Sequence, residues 1–529
     1  MANPAARGYL AIVLHAHLPF VRHPEHPAFL EERWLYEAIA ECYLPLLLRF
    51  RRLRADGVPF RLTMSVSPTL LAMLRDDLLR ERFIRHLMVM EELARAEMHR
   101  RPEPHVRYLA GVQLERLSEL HALWDEVRGD VPGALAELER EGFLDLWTCA
   151  ATHAVLPLLT HHPEAVRAQV GVAVQHHREQ FGVVPRGFWL PECAYEPGLE
   201  EVLADHGLRC FVVDTHAIEH GSVVPRWGVY APVFCPNGVA AFGRDPESSR
   251  QVWSAESGYP GDPWYRDFYR DVGFDLPLEV LGPAAHPDGI RVATGIKYHR
   301  ITERGSDRKE WYEPRAASAR ALEHAGHFLL HRTSQVRWLA EALDRPPLIV
   351  APYDAELFGH WWYEGPEFLE RLFRLLHFDQ HELEPITPTE YLRRHPVNQV
   401  QVPAASSWGA GGYNYVWLEG TNAWIYRHLH LAADDMTRLA RAWPRPDPLT
   451  RRALCQAARE LLLAQSSDWA FIMMTRTSVE FAVRRVQAHL ARFRRLVREI
   501  DAGRIEEAWL AELESRDNLF PNLDCRVYA

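Results

Sequence analysis

Lysine is nearly missing from this 529-residue chain: it occurs at positions 297 and 309, and arginine carries the rest of the positive charge. Low asparagine suits a heat-tolerant protein, but GC-rich coding gives the same arginine-for-lysine exchange, so the bias assigns no function. No run approaches the ~20 apolar residues that a membrane span needs. The apolar stretch 9–14 is cut short by His15 and His17, too brief and too polar for a secretion signal. A cytoplasmic protein with no membrane partner is expected. The seven cysteines (42, 149, 193, 210, 235, 455 and 525) include no C-x-x-C pair, and an odd number scattered through apolar sequence reads as reduced thiols. Basic residues are not in excess either. Sixty Lys and Arg against 71 Asp and Glu leave a net charge of -11, which argues against nucleic acid as a partner. Internal repeats and low-complexity tracts are absent.

What is present is a globular composition, 47% hydrophobic and 25% charged, in a chain too long for one ordinary core. A large catalytic domain with smaller attachments is expected. The 17 tryptophans are many, and flat rings with polar edges are what sugar faces stack on, although tryptophan also fills cores.

From residue 8 to about 390, short apolar runs alternate with longer helical patterns, which is the signature of parallel strands joined by helices. The runs 9–15, 60–66, 144–150, 187–190, 210–214, 291–296, 348–352 and 384–387 predict about seven or eight strands, enough for a barrel. Helices are predicted over 34–55, 164–181, 315–343 and 366–378, with extra helices in 68–142. Residues 216–285, rich in Gly, Pro, Asp and aromatics, read as a loop insertion beside the site. Beyond about 400 the strand signal stops, and 422–442, 448–463 and 477–500 read as amphipathic helices. The expected division is a catalytic barrel over 1–400, with 216–285 as an insertion within it, and a helical domain over 401–529.

In a parallel barrel the chemistry sits at the strands' C-terminal ends. There the sequence places His15 and His17, Thr152 and His153, Glu192, Asp214 and His216, and finally Asp354 and Glu356. A lone polar residue past a strand is more often a cap or a core hydrogen-bonder than a catalyst. Five such clusters on one rim point to one pocket. Two acids come directly after strands amid aromatics and proline, in FWLPECAY (188–195) and IVAPYDAELFGHWWYEG (349–365). Apolar surroundings raise a carboxyl's pKa into the range of a proton donor, while hydrogen-bond donors hold a second one ionised as a nucleophile. The bland alternatives are an ion pair with Arg186 for Glu192 and a helix cap for Asp354. A rival chemistry uses His15, His17, His153 and Asp214 to hold Zn²⁺.

These residues also carry a resemblance. HAHLPFVRHPE (15–25), WTCAATHAVLPLL (147–159), GFWLPECAY (187–195), APYDAELFGHWWYEGP (351–366), SSWGAGGYNYVWLEGTNAWIYRHLH (406–430) and LLLAQSSDWAFIM (461–473) are similar to motifs of glycoside hydrolase family 57, and within it of the 1,4-α-glucan branching enzymes. The resemblance implies an α/β fold: a distorted (β/α)₇ barrel with an inserted small domain and a C-terminal all-α domain. It implies retaining chemistry with Glu192 as nucleophile and Asp354 as general acid/base, and no cofactor or metal. His15, His17 and His153 would line the subsite around the scissile bond, and Trp408 and Asp468 would reach the sugar cleft from the C-terminal side. Arg266 and Gly282 would be further sugar contacts. An α-1,4-glucan is the implied partner and α-1,6 branches the implied product, with α-amylase or 4-α-glucanotransferase activity, or non-catalytic glucan binding, as alternatives. Two departures stand out: Arg476 where a glycine is expected, and a short 217–262 loop in which Tyr230 is the candidate for the branching members' loop tyrosine.

Overall fold

Strand Gly8–Ala16 (β1), buried along its whole length, is the seam of the sheet. The computed structural model describes residues 6–254, 257–303 and 305–529. After β1 come Leu62–Val66 (β2), Leu144–Cys149 (β3), Gly187–Trp189 (β4), Cys210–Val213 (β5), Val233–Phe234 (β6), Ala240–Gly243 (β7), Leu348–Asp354 (β8) and Leu383–Pro385 (β9). They form one sheet in the order β6-β7-β5-β4-β3-β2-β1-β8, with β9 also on β1. Every pairing is parallel except β6 with β7. One edge of β1 takes β9 through Gly8–Leu10 and then β2 through Val13–Ala16, while β8 runs along the other. Backbone bonds from Leu348 N–H to Tyr230 O (2.8 Å) and from Asp245 N–H to Val350 O (2.9 Å) bring the β7 end round to β8. The sheet therefore curls into a distorted barrel whose seven parallel staves are β1 to β5, β7 and β8.

Side-chain alternation assigns the two faces. Tyr9, Ala11 and Val13 join Trp147, Cys149, Trp189, Val212, Phe242, Leu348 and Val350 inside the barrel. Leu10, Ile12 and Leu14 point outward into the core shared with the helices. Continuing the inner register past Val13 and Val350 delivers His15, His17 and Asp354 to the inner rim.

Proline in the first turn, where no intrahelical N–H is needed, starts the helices Pro163–Phe181, Pro314–Ala342 and Gly365–Phe378 close to the predicted positions. The helix predicted over 34–55 is split by a π-helical turn, Ile39–Tyr43. The C-terminal region folds as Trp424–Ala442, Pro448–Ala464, Ser467–Thr475, Val479–Ala502 and Glu507–Arg516. Among the described residues no helix is long and apolar enough to cross a membrane.

One strand assignment is overturned. Residues 291–296 are not a strand: the backbone N–H groups of Thr294 and Gly295 donate to the Asp271 carboxylate (2.9 and 2.8 Å), and Gly295 is left-handed with φ +77°. Donors spent on a side chain cannot make a ladder. The missing stave is β7, whose four small or aromatic residues lie inside the stretch read as loop insertion.

Candidate active site

Register fixes the first members of the site. His15 on β1 faces Asp354 on β8 on one side and Ser65 on β2 on the other. Its Nδ1 lies 3.2 Å from the Ser65 hydroxyl and its Nε2 2.9 Å from Nε2 of His153. Two facing imidazole nitrogens share one proton, and burial, then the neighbouring His153 and His17, hold the His15 pKa well below its usual value. Burial and His17 do the same to His153. Trp189 lies flat against His15, with centroids 4.7 Å apart and planes 6° apart, and His17 stacks on His153 at 3.8 Å.

Glu192 sits where β4 ends in the turn Pro191–Cys193. Its φ is +62° and that of Cys193 +48°, while His153 at the end of β3 has φ +57°. Non-glycine residues held there cost about 1–3 kcal/mol each, and such strain gathers where function needs a side chain aimed. The conformation is pinned by the segment 406–408. Tyr195 and Ser406 exchange backbone hydrogen bonds of 2.9 and 3.0 Å, and Trp408 N–H donates to Glu192 O at 3.0 Å. The Trp408 indole N–H then donates to Glu192 Oε2 at 2.8 Å.

Both acids are perturbed. Glu192 leaves 17% of its side chain open to the cleft, yet it is enclosed by protein, and lost solvation, reinforced by the charge of Asp354, pushes its pKa up to about 8. Burial raises Asp354 to about 7, against the pull of His17 and Arg244. The pair therefore holds a proton near neutral pH, and its two titrations belong to the pair rather than to either residue. A third carboxyl, Glu356, accepts hydrogen bonds from His17 N–H and the Tyr43 hydroxyl and is raised to about 8, first by burial and then by Asp354.

The C-terminal region reaches the same rim. Asp468 accepts from His17 Nε2 at 3.0 Å, and the Ser467 hydroxyl meets His153 Nδ1 at 2.7 Å. Burial opposes a charge on Asp468, but His17 and the Ser466 hydroxyl hold it down to about 2.

Glu192, Asp354, His15, His17, His153, Trp408 and Asp468 thus come together. Arg266 and Gly282 make none of these contacts. Arg266 is buried, with its guanidinium 3.7 Å from the Tyr363 ring and Nη1 donating to Gly295 O. Gly282 lies in a turn after Leu278–Leu281 with φ +49°. Asp214 accepts from Thr215 N–H and pairs with Arg244 at 3.4 Å, so the proposed Zn²⁺ ligand set is not assembled. Tyr230 gives its carbonyl to β8, and its hydroxyl accepts from Gln335 at 3.5 Å on the helix Pro314–Ala342. Neither bland reading holds, since Glu192 bonds Trp408 and Asp354 makes no cap hydrogen bond. Among the described residues the one His/Cys/Asp/Glu group compact enough for an ion is Glu460, His489 and Asp517, in the C-terminal helices.

Sequence reasoning misses Trp189, Ser467 and Arg244. Trp189 and Ser467 stand inside the quoted motifs, but beside neighbours with more evident chemistry. Arg244 comes directly after β7, bonds Ser249 at 2.5 Å and lies 5.5 Å from the Trp408 ring. Unread as a strand, β7 had no end to inspect.

Two half-buried carboxyls on the C-terminal rim of a parallel barrel, ringed by imidazoles and indoles, are the equipment of a carbohydrate-active barrel enzyme. Residues 11–404 match the family described as Glycosyl hydrolase family 57, and residues 428–528 match the branching-enzyme C-terminal region described as 1,4-alpha-glucan branching enzyme, C-terminal. The chain belongs to glycoside hydrolase family 57. It is 36% identical to a 1,4-alpha-glucan branching enzyme of Thermococcus kodakarensis, over 97% of this chain and 77% of that one. Among solved structures it is similar to the alpha-amylase AmyC of Thermotoga maritima (45% identity, TM-score 0.93, 99% of both chains). It is also similar to the family 57 branching enzyme of Pyrococcus horikoshii (33% identity, TM-score 0.89, 99% and 97% of the chains).

Proposed function

We propose that this protein is a retaining α-glucan branching enzyme that cuts α-1,4 bonds and transfers the released segment to a 6-hydroxyl, forming α-1,6 branches of a glycogen-type polymer. The observation that carries the reading is the hydrogen bond from Trp408 to Glu192, which ties the C-terminal motif to the acid that feels the charge of Asp354. In this reading residues 1–400 form the catalytic domain with 216–285 as its insertion, and 401–529 complete the cleft. The seven unpaired cysteines are in line with a cytoplasmic setting.

The reaction proceeds from the form in which the pair's shared proton sits on Asp354: Glu192, its charge favoured by the Trp408 donor, attacks the anomeric carbon while Asp354 gives that proton to the departing glycosidic oxygen. The C–O bond breaks with its electron pair on that oxygen, and a glycosyl–Glu192 ester forms. Asp354, now a base, takes the proton of an acceptor hydroxyl as that oxygen displaces Glu192. A 6-hydroxyl gives a branch, and water gives hydrolysis. His15, His17 and His153 line the subsite of the reacting sugar, with the ring nitrogens of His15 and His153 already paired to each other and to Ser65 and Ser467, and no step calls for a cofactor.

A second reading, an α-amylase-type hydrolase, is favoured by one observation: the chain is 45% identical to the alpha-amylase AmyC over 99% of both chains. Acceptor binding and water exclusion set the ratio of the two outcomes. Incubation with amylose separates them. Branching predicts proton NMR signals of α-1,6 linkages growing faster than reducing ends. Reducing ends rising in step with every α-1,4 bond lost, with no α-1,6 signal, would make the protein a hydrolase.

A further inference from the structure

The mechanism gives no task to Arg244, although the fold spends several contacts on placing it. It is the first residue after β7, the stave that closes the barrel between β5 and β8. Its backbone N–H donates to Val213 O at 3.0 Å, its carbonyl accepts from the Thr215 hydroxyl at 2.8 Å, and the next N–H, that of Asp245, donates to Val350 O at 2.9 Å. The backbone is thereby tied to the strands that lead into Asp214 and Asp354. The side chain is tied as well. Its Nε donates to the Ser249 hydroxyl at 2.5 Å, Nη1 donates to Asp214 at 3.4 Å, and the guanidinium lies 5.5 Å from the ring of Trp408, whose indole N–H holds Glu192.

An arginine stays charged, and with 14% of its side chain exposed this one is little screened by water. Asp214 offsets part of that charge through one long contact. The rest is felt at Asp354, which Arg244 and His17 pull down against burial. His17 already serves Asp468. The other titratable groups that sense Asp354, namely Glu192, Glu356, the Tyr43 hydroxyl and the Cys193 thiol, bring no positive charge. Asp354 needs opposite states in the two halves of a retaining reaction: it gives a proton to the glycosidic oxygen in the first and takes one from the acceptor hydroxyl in the second. Between them Glu192 is an uncharged ester and Asp354 stands ionised away from bulk water, which is costly without a partner. A fixed cation favours that state and no earlier one.

We propose that Arg244 is a positioning residue for the second half of the reaction: held by Ser249 and Asp214 beside Trp408, it steadies the Asp354 carboxylate while the segment waits on Glu192 for an acceptor. The inference rests on the retaining reading above and adds the step at which the end of β7 acts.

The test uses the whole 529-residue chain and α-maltotriosyl fluoride, whose leaving group needs little help from an acid, so that loss of the glycosyl–Glu192 ester limits turnover. Arg244→Met removes the cation and keeps the bulk. The acid limb of its pH–kcat profile should move up by about one unit, so that kcat on that limb falls about tenfold while kcat/KM holds. Mass spectrometry of quenched reactions should find more glycosyl–Glu192 in this variant than in the wild type. Arg244→Gln, which can still bond Ser249, should behave alike, and Arg244→Lys should recover most of kcat by restoring the charge. Equal losses in kcat and kcat/KM with an unmoved acid limb, or no loss of kcat in either uncharged variant, overturn the proposal and leave the retaining reading intact. A wild-type product of inverted anomeric configuration overturns both.

Discussion

The indole N–H of Trp408 lies 2.8 Å from Oε2 of Glu192, across 216 positions of sequence. The same residue's backbone N–H holds the Glu192 carbonyl, so one tryptophan fixes both ends of a strained glutamate.

Trp408→Phe keeps the ring and deletes the donor. A hydrogen bond to a charged group is worth about 1.5–3 kcal/mol, so kcat should fall roughly tenfold to a hundredfold with KM little changed. The acid limb of the pH–kcat/KM profile should move up, because the donor favours ionised Glu192. A parallel loss in KM with an unmoved profile would reduce Trp408 to a packing residue.

The rim is incomplete without the C-terminal region. A chain ended near residue 400 lacks Trp408, Ser467 and Asp468, and should keep less than about 1% of glucan turnover. Asp468→Asn is the gentler probe: His17 loses its charged partner, and kcat should drop about tenfold or more while the melting temperature holds. Full activity in the shortened chain contradicts a shared site.

Glu192 should cost stability at alkaline pH. Its folded value of about 8 lies above the ordinary 4.5, so the native state binds this proton more tightly than the unfolded chain does. That contribution is complete below pH 4.5 and is lost as pH rises through about 8. Glu192→Gln removes this share of the dependence and leaves those of Asp354 and Glu356, which are raised to about 7 and about 8. The variant should melt with the wild type near pH 4.5 and several degrees above it at pH 9. Equal melting temperatures across the range would mean Glu192 is not desolvated in solution.

Arg476 closes the helix Ser467–Thr475 with φ +60°, a left-handed cap where glycine carries no steric penalty. Arg476→Gly should stabilise the protein by about 1 kcal/mol in thermal unfolding without altering kcat. A loss of stability would show that the arginine side chain is retained for its contacts.

Much of this site is legible in the sequence because a barrel converts strand ends into a pocket. His15, His17, Glu192 and Asp354 all stand at or just past the end of an apolar run. The unread part has physical causes. AAFG at 240–243 is too short and too small to show alternation, whereas RVATGI at 291–296 alternates well but gives its backbone donors to Asp271. Arg266 sits in a family motif, yet its guanidinium is turned onto Tyr363. Which way a side chain faces is set by tertiary packing and is not written in its spacing.

The position of β1 has a consequence for biogenesis. It is synthesised long before its partners, because one whole edge and the start of the other wait for residues 348–354 and 383–385. At about 5–20 residues per second the strand spends some tens of seconds unpaired during synthesis. Its run of apolar residues, interrupted only at His15, leaves it in need of shielding meanwhile, and fragments ending before residue 348 should aggregate rather than fold.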